Sequence, residues 1–135
     1  MIVIAHVIAI TCYIAAAGLA AVPFARPIPA PVRGVVALLS AGVSVHLVAL
    51  LAYSWQFGEP PLTGLGPALS TAAFLVAVTL LAVETLAREV SLTLVTAPMA
   101  AIVTIGAIAS PMQPGPASAS GGALWLALHI ALSFL

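Results

Sequence analysis

The first charged side chain in this sequence is Arg26, and every residue before it is uncharged. Charge then recurs only at Arg33, Glu59, Glu84, Arg88 and Glu89, so the stretches between Arg33 and Glu59, between Glu59 and Glu84, and after Glu89 carry none. A water-soluble domain is about a quarter charged. Here 4 % of the 135 residues are charged and 64 % are apolar. Such a surface cannot be solvated by water, which excludes a soluble globular domain and a disordered chain. It also excludes a nucleic-acid binder, which needs a Lys/Arg footprint. The solvent this composition fits is a lipid bilayer. A spanning helix takes about 20 residues, so the length allows four full spans and part of a fifth. The expected fold is all-α: a polytopic transmembrane helical bundle, four full spans plus a truncated fifth, in a single membrane domain.

Prolines and charges set the boundaries. Span one covers 2–22 and stops at Pro23, since Pro23, Pro27, Pro29 and Pro31 forbid a continuing helix. Span two covers 34–53 and is followed by a polar loop holding Trp55, Gln56, Gly58, Glu59, Pro60 and Pro61. Span three covers 66–87 and ends with Glu84 and Arg88 in the favourable i,i+4 order, which predicts a Glu84 that snorkels to the surface and pairs there. A short turn at Arg88 and Glu89 makes spans three and four (91–109) an antiparallel hairpin, with a bend expected at Pro98. The stretch 122–135 rises only ~20 Å against a hydrocarbon core of ~30 Å, so it reads as a helix cut short, and the chain as the N-terminal half of a longer protein or, alternatively, as a short form whose last helix needs a partner.

All three arginines fall in the first and third loops, which the positive-inside rule assigns to the cytoplasm, leaving the N-terminus outside. Cys12 stands alone, so no disulfide framework or thiolate metal site is available. No catalytic order of Ser, His and Asp, no H-E-x-x-H and no phosphate-cradling glycine loop is present, so the chain is read as no enzyme.

An ionisable residue at membrane depth is a candidate functional group. His46 lies ~12 Å below the outer end of span two, and His129 ~10 Å into the last stretch from the same side. Gly42, Ala49 and Tyr53 share the face of His46, where small residues leave a flat slot beside the imidazole. Trp125, Leu126, Leu132 and Ser133 share the face of His129. Imidazole ligands within apolar walls that open toward the interface suit an embedded haem. Each histidine taken singly also has a plain reading, hydrogen bonding that holds helices together. For His6 that plain reading leads, with Tyr13, Thr11 or the interface as its partners. Trp125 is first of all an interfacial anchor. Ser40, Ser44, Ser70, Thr71 and Gly42 read as close-packing residues.

The order of features resembles a known family. The stretch Val43-Ser44-Val45-His46-Leu47-Val48-Ala49-Leu50 is followed by Gly64-Leu65-Gly66-Pro67-Ala68-Leu69-Ser70, then by Leu94-Val95-Thr96-Ala97-Pro98-Met99-Ala100, and last by Leu126-Ala127-Leu128-His129-Ile130-Ala131-Leu132-Ser133-Phe134-Leu135. This succession is similar to the N-terminal half of the cytochrome c assembly membrane proteins, the CcsA/CcmC/HemX-like family. The resemblance implies a bacterial inner-membrane protein that binds or moves haem while c-type cytochromes mature. Its cofactor would be a non-covalent b-type haem, and its partners haem, the lipid bilayer and other cytochrome c assembly proteins. By position His46 and His129 match the family's iron-ligating histidines, with Trp125 and Tyr53 bounding the pocket. The outer loops offer Trp55 alone and no histidine, whereas relatives that present haem outside the membrane carry a Trp-rich outer segment. Two alternatives stand beside this reading: a small proton-coupled transporter subunit using Glu84, and a structural membrane subunit whose histidines bridge helices.

Overall fold

In a computed structural model of the chain, residues 1–26, 28–29, 31–88 and 90–115 are described. Among them there is helix and no strand. The elements are α1 (Ile2–Ala20), the single turn α2 (Val22–Ala25), α3 (Val32–Phe57), α4 (Leu65–Ala87) and α5 (Thr93–Ala109). The helical stretches Ile2–Ala25, Val32–Phe57 and Leu65–Ala87 are long and apolar enough to cross a bilayer, and α5 is apolar but shorter. The stretch 122–135, with His129 and Trp125, lies outside the described residues.

Helix boundaries depart from the sequence expectation where proline or glycine chemistry is locally permissive. Pro23 does not end the helical path, because it sits in the first turn of α2, where a missing N–H takes nothing from the ladder. Ser54, Trp55 and Gln56 belong to α3, not to the loop; α3 stops at Gly58, whose φ of 71° is the left-handed cap that glycine adopts most readily. Pro67 lies in the opening turn of α4 and is tolerated for the same reason as Pro23. Pro98 lies inside α5, as expected.

α1 packs on α3 and α5, and α4 packs on the same two helices, closing a ring of four. Each helix buries one residue every three or four positions: Ala9, Tyr13, Ala16 and Ala20 on α1; Leu39, Gly42, His46 and Ala49 on α3; Ser70, Ala73, Ala77 and Leu80 on α4; Ala97, Ala100, Thr104 and Ala107 on α5. This is the stripe of a helical bundle. The division of residue sizes is that of a protein in lipid. The interior is mostly alanine, while Ile4, Leu51, Leu86, Val95 and Ile102 are exposed. Lipid tails are as apolar as leucine, so burying bulky aliphatics gains little, whereas small residues let backbones approach and form dispersion contacts.

One carboxylate is drawn inside. Glu84 does not snorkel to the surface as the sequence suggested; it is 1 % exposed and its Oε1 accepts the backbone N–H of Thr93 at 2.8 Å. Thr93 is the first residue of α5. A helix start leaves its first N–H groups without intrahelical partners and carries the positive end of the dipole, so a carboxylate is stabilised there.

Candidate functional site

The buried stripes bring four polar side chains together inside the ring. His6 and Tyr13 are seven residues apart on α1 and share its inner face. His46 comes from α3 and Ser70 from α4. All four are fully buried. The two imidazoles meet edge to face, with centroids 5.1 Å apart and planes at 71°. Phe74, one turn beyond Ser70 on α4, packs against His46 with centroids 5.7 Å apart.

Backbone and side-chain geometry fixes where the protons lie. The Ile2 carbonyl can only accept, so His6 donates to it from Nδ1–H at 2.8 Å. Neutral His6 is then an acceptor at Nε2, which takes the Ser70 hydroxyl proton at 2.6 Å. Having donated its one proton, Ser70 Oγ accepts from His46 Nε2–H at 3.1 Å. His46 Nδ1 is therefore an acceptor and receives the Tyr13 phenol at 3.1 Å. With both rings neutral, the direction of every bond in the series Tyr13, His46, Ser70, His6, Ile2 carbonyl is determined, and no donor is left over.

Small residues make room for this series. Gly42 is one turn from His46 on the same face, and a Cβ built on it would stand 2.7 Å from Cε1 of Tyr13. The space that the sequence places beside His46 at Gly42 is occupied by the Tyr13 ring of the neighbouring helix.

The sequence-predicted residues divide accordingly. His46 lies at the centre of the buried group. Tyr53, two turns along α3, is fully buried and stacks on Phe57 with centroids 4.6 Å apart. Its hydroxyl has no hydrogen-bond partner among the described residues. His6 is satisfied inside the protein, as its plain reading had it, yet by Ile2 and Ser70 rather than by Tyr13, Thr11 or the interface; Thr11 bonds back to the Val7 carbonyl. Ser70, read as a packing residue, is the hinge of the series. Nothing in a single sequence marks it, since a serine in a spanning helix is most often a small packing residue.

The pair His6 and His46 does not by itself frame a haem. Edge-to-face rings at 5.1 Å, with a serine hydroxyl bonded to both, leave no gap for a porphyrin plane between them. No group of three or more His, Cys, Asp or Glu able to hold a metal ion occurs among the described residues.

The described part of the chain thus has the character of a membrane protein: apolar helices long enough to cross a bilayer, around a small buried polar group. Compared with known protein families, with characterised proteins and with solved structures, the chain matches none.

Proposed function

We propose that this protein is a four-span bundle, with part of a fifth span, in a bacterial inner membrane, and that it serves cytochrome c assembly by handling haem through intramembrane histidines. The observation that carries the reading is His46. Its imidazole is fully buried between Gly42 and Ala49 on the inner face of α3, and an ionisable group at membrane depth is a candidate for function. His46 and His129 are the residues proposed to hold the iron, with Tyr53 and Trp125 at the edge of the pocket, as the resemblance to the assembly family implies. A bound haem would supply iron that one or two imidazoles could ligate. The N-terminus would face the outside, so that Arg26, Arg33 and Arg88 lie on the cytoplasmic side.

A specific observation favours a second reading, a structural subunit. Both ring nitrogens of His6 and both of His46 are hydrogen-bonded, and together they tie α1, α3 and α4. The transporter alternative rested on Glu84, and the engagement of that carboxylate with the start of α5 weighs against it.

Absorption spectra separate the two main readings. Protein purified after haem-replete expression should show a b-type Soret band that His46→Ala and His129→Ala together abolish. A haem-free wild type, or a band unchanged in the double variant, would select the structural subunit.

A further inference from the structure

The hydrogen-bond series has an end near the surface and an end inside. Ile2, whose carbonyl terminates it, lines a depression of about 250 Å³ together with Met1, Val3, Gln56, Phe57 and Met112, at the end of the bundle where α1 begins and α3 and α5 finish. Tyr13, at the other end, lies about 16 Å further along α1 at 1.5 Å per residue. We propose that these four side chains form a proton-binding relay: when the series gains one proton, the direction of every bond between Tyr13 and His6 reverses and the positive charge comes to rest on His6, at the end nearer the depression.

The reversal balances atom by atom. In the neutral state His6 carries a proton on Nδ1, Ser70 on Oγ, His46 on Nε2 and Tyr13 on its phenol. With one proton added, His6 is an imidazolium with both nitrogens protonated, so its Nε2 can no longer accept and instead donates to Ser70 Oγ. Ser70 passes its hydroxyl proton to His6 Nε2 and takes the Nε2 proton of His46 in its place, so that His46 Nε2 becomes the acceptor and Ser70 the donor. His46 takes the phenol proton of Tyr13 onto Nδ1 and then donates it back to the Tyr13 oxygen as a hydrogen bond. The phenol oxygen receives the added proton in exchange and is released to donate elsewhere. The whole gains one proton and no bond of the series is lost. Each member has a single alternative state because each has a single shared partner on either side.

The packed helices bring no Asp, Glu or Arg side chain to this end of the bundle. α1 adds Cys12 and the chain terminus at Met1, α3 adds Tyr53 and, at the opposite end of the bundle, Arg33, α4 has Glu84 at that same opposite end, and α5 has no titratable residue. In the loop after α3, Glu59 accepts the Thr63 hydroxyl at 2.7 Å. The added proton therefore has the relay itself as its acceptor. The inference does not rest on haem, and haem-free protein serves for its test.

The test is nitrogen NMR of the full chain with ¹⁵N-labelled histidine in lipid nanodiscs, where shifts distinguish the two tautomers from the imidazolium. His129→Gln removes the third histidine signal, and His6→Gln distinguishes the remaining two. At alkaline pH the expected spectrum has His6 protonated on Nδ1 and His46 on Nε2. On acidification His6 should become imidazolium and His46 should change to the Nδ1–H tautomer in one shared transition. In Ser70→Ala the His46 tautomer should cease to follow His6, and in Ser70→Thr, which keeps the hydroxyl, the shared transition should return. A His46 that keeps its Nε2 proton while His6 titrates overturns the proposal. So does a His6 that stays neutral to the lowest pH at which the helices persist by circular dichroism.

Discussion

Gly42 and Tyr13 meet side to side between α3 and α1: a Cβ on the glycine would stand 2.7 Å from Cε1 of the tyrosine ring. The contact decides more than packing. By admitting the ring, Gly42 lets the phenol reach His46 one turn away at 3.1 Å, and so sets the tautomer of a buried imidazole.

Glycine substitutions should therefore separate by what the new methyl meets. Gly42→Ala should lower stability by roughly 1–3 kcal/mol, because an aromatic ring held between helices cannot yield without losing its hydrogen bond. Gly18→Ala, with nothing within 4 Å of the added atom, should be neutral or stabilising by up to about 1 kcal/mol through helix propensity. Thermal unfolding of both variants in one detergent gives the comparison, and equal midpoints would count against the contact.

Breaking the series at its hinge should be more harmful than removing an exposed hydroxyl. Ser70→Ala leaves His6 Nε2 and His46 Nε2–H buried without their partner, a loss of about 1–3 kcal/mol. Thr85→Ala removes an exposed hydroxyl that bonds back to the Leu81 carbonyl, and should stay within about 0.5 kcal/mol of the parent. Denaturant titration of helicity in mixed micelles measures both.

Glu84→Ala should loosen the start of α5. The Thr93 N–H would lose a charged acceptor in a buried place, worth about 1–3 kcal/mol. Glu84→Gln keeps an oxygen acceptor and should recover part of that. Hydrogen exchange resolved to 93–96 is the measurement, with faster exchange confined to this turn in the alanine variant.

A fourth contact joins the loops at the N-terminal end of the bundle. Gly64 has a φ of 85°, and a Cβ there would stand 2.5 Å from the Gln113 carbonyl oxygen. Gly64→Ala thus meets both an unfavourable backbone region and a backbone atom that cannot move aside. Limited proteolysis should show faster cleavage near 58–64 and 111–115 in this variant than in the parent.

Much of the architecture is legible from residue type alone. Runs without charge locate the helices, and the turn at Arg88 and the loop at Gly58 separate them where expected. Boundaries shifted at Pro23 and at Ser54–Gln56, since proline in a first turn and polar residues in a last turn are compatible with helix. The site was harder. His46 stands out as an ionisable group at membrane depth. Its companions do not, because counting 1.5 Å per residue gives depth along one helix and says nothing about the offset or rotation of its neighbour.

The amino-acid order determined that this chain forms apolar helices suited to a bilayer, and that a few polar groups must lie among them; in the structure three of the described helical stretches are long enough to cross one. Only the packed bundle decided that His46 meets His6, Ser70 and Tyr13, and that Glu84 turns inward to α5. The physical reason is that inner and lipid-facing sides are both apolar here, so hydropathy cannot distinguish them. The inward face is chosen by small residues such as Gly42, Ala9 and Ala73, which allow close approach, and by polar side chains that find partners only when the helices meet.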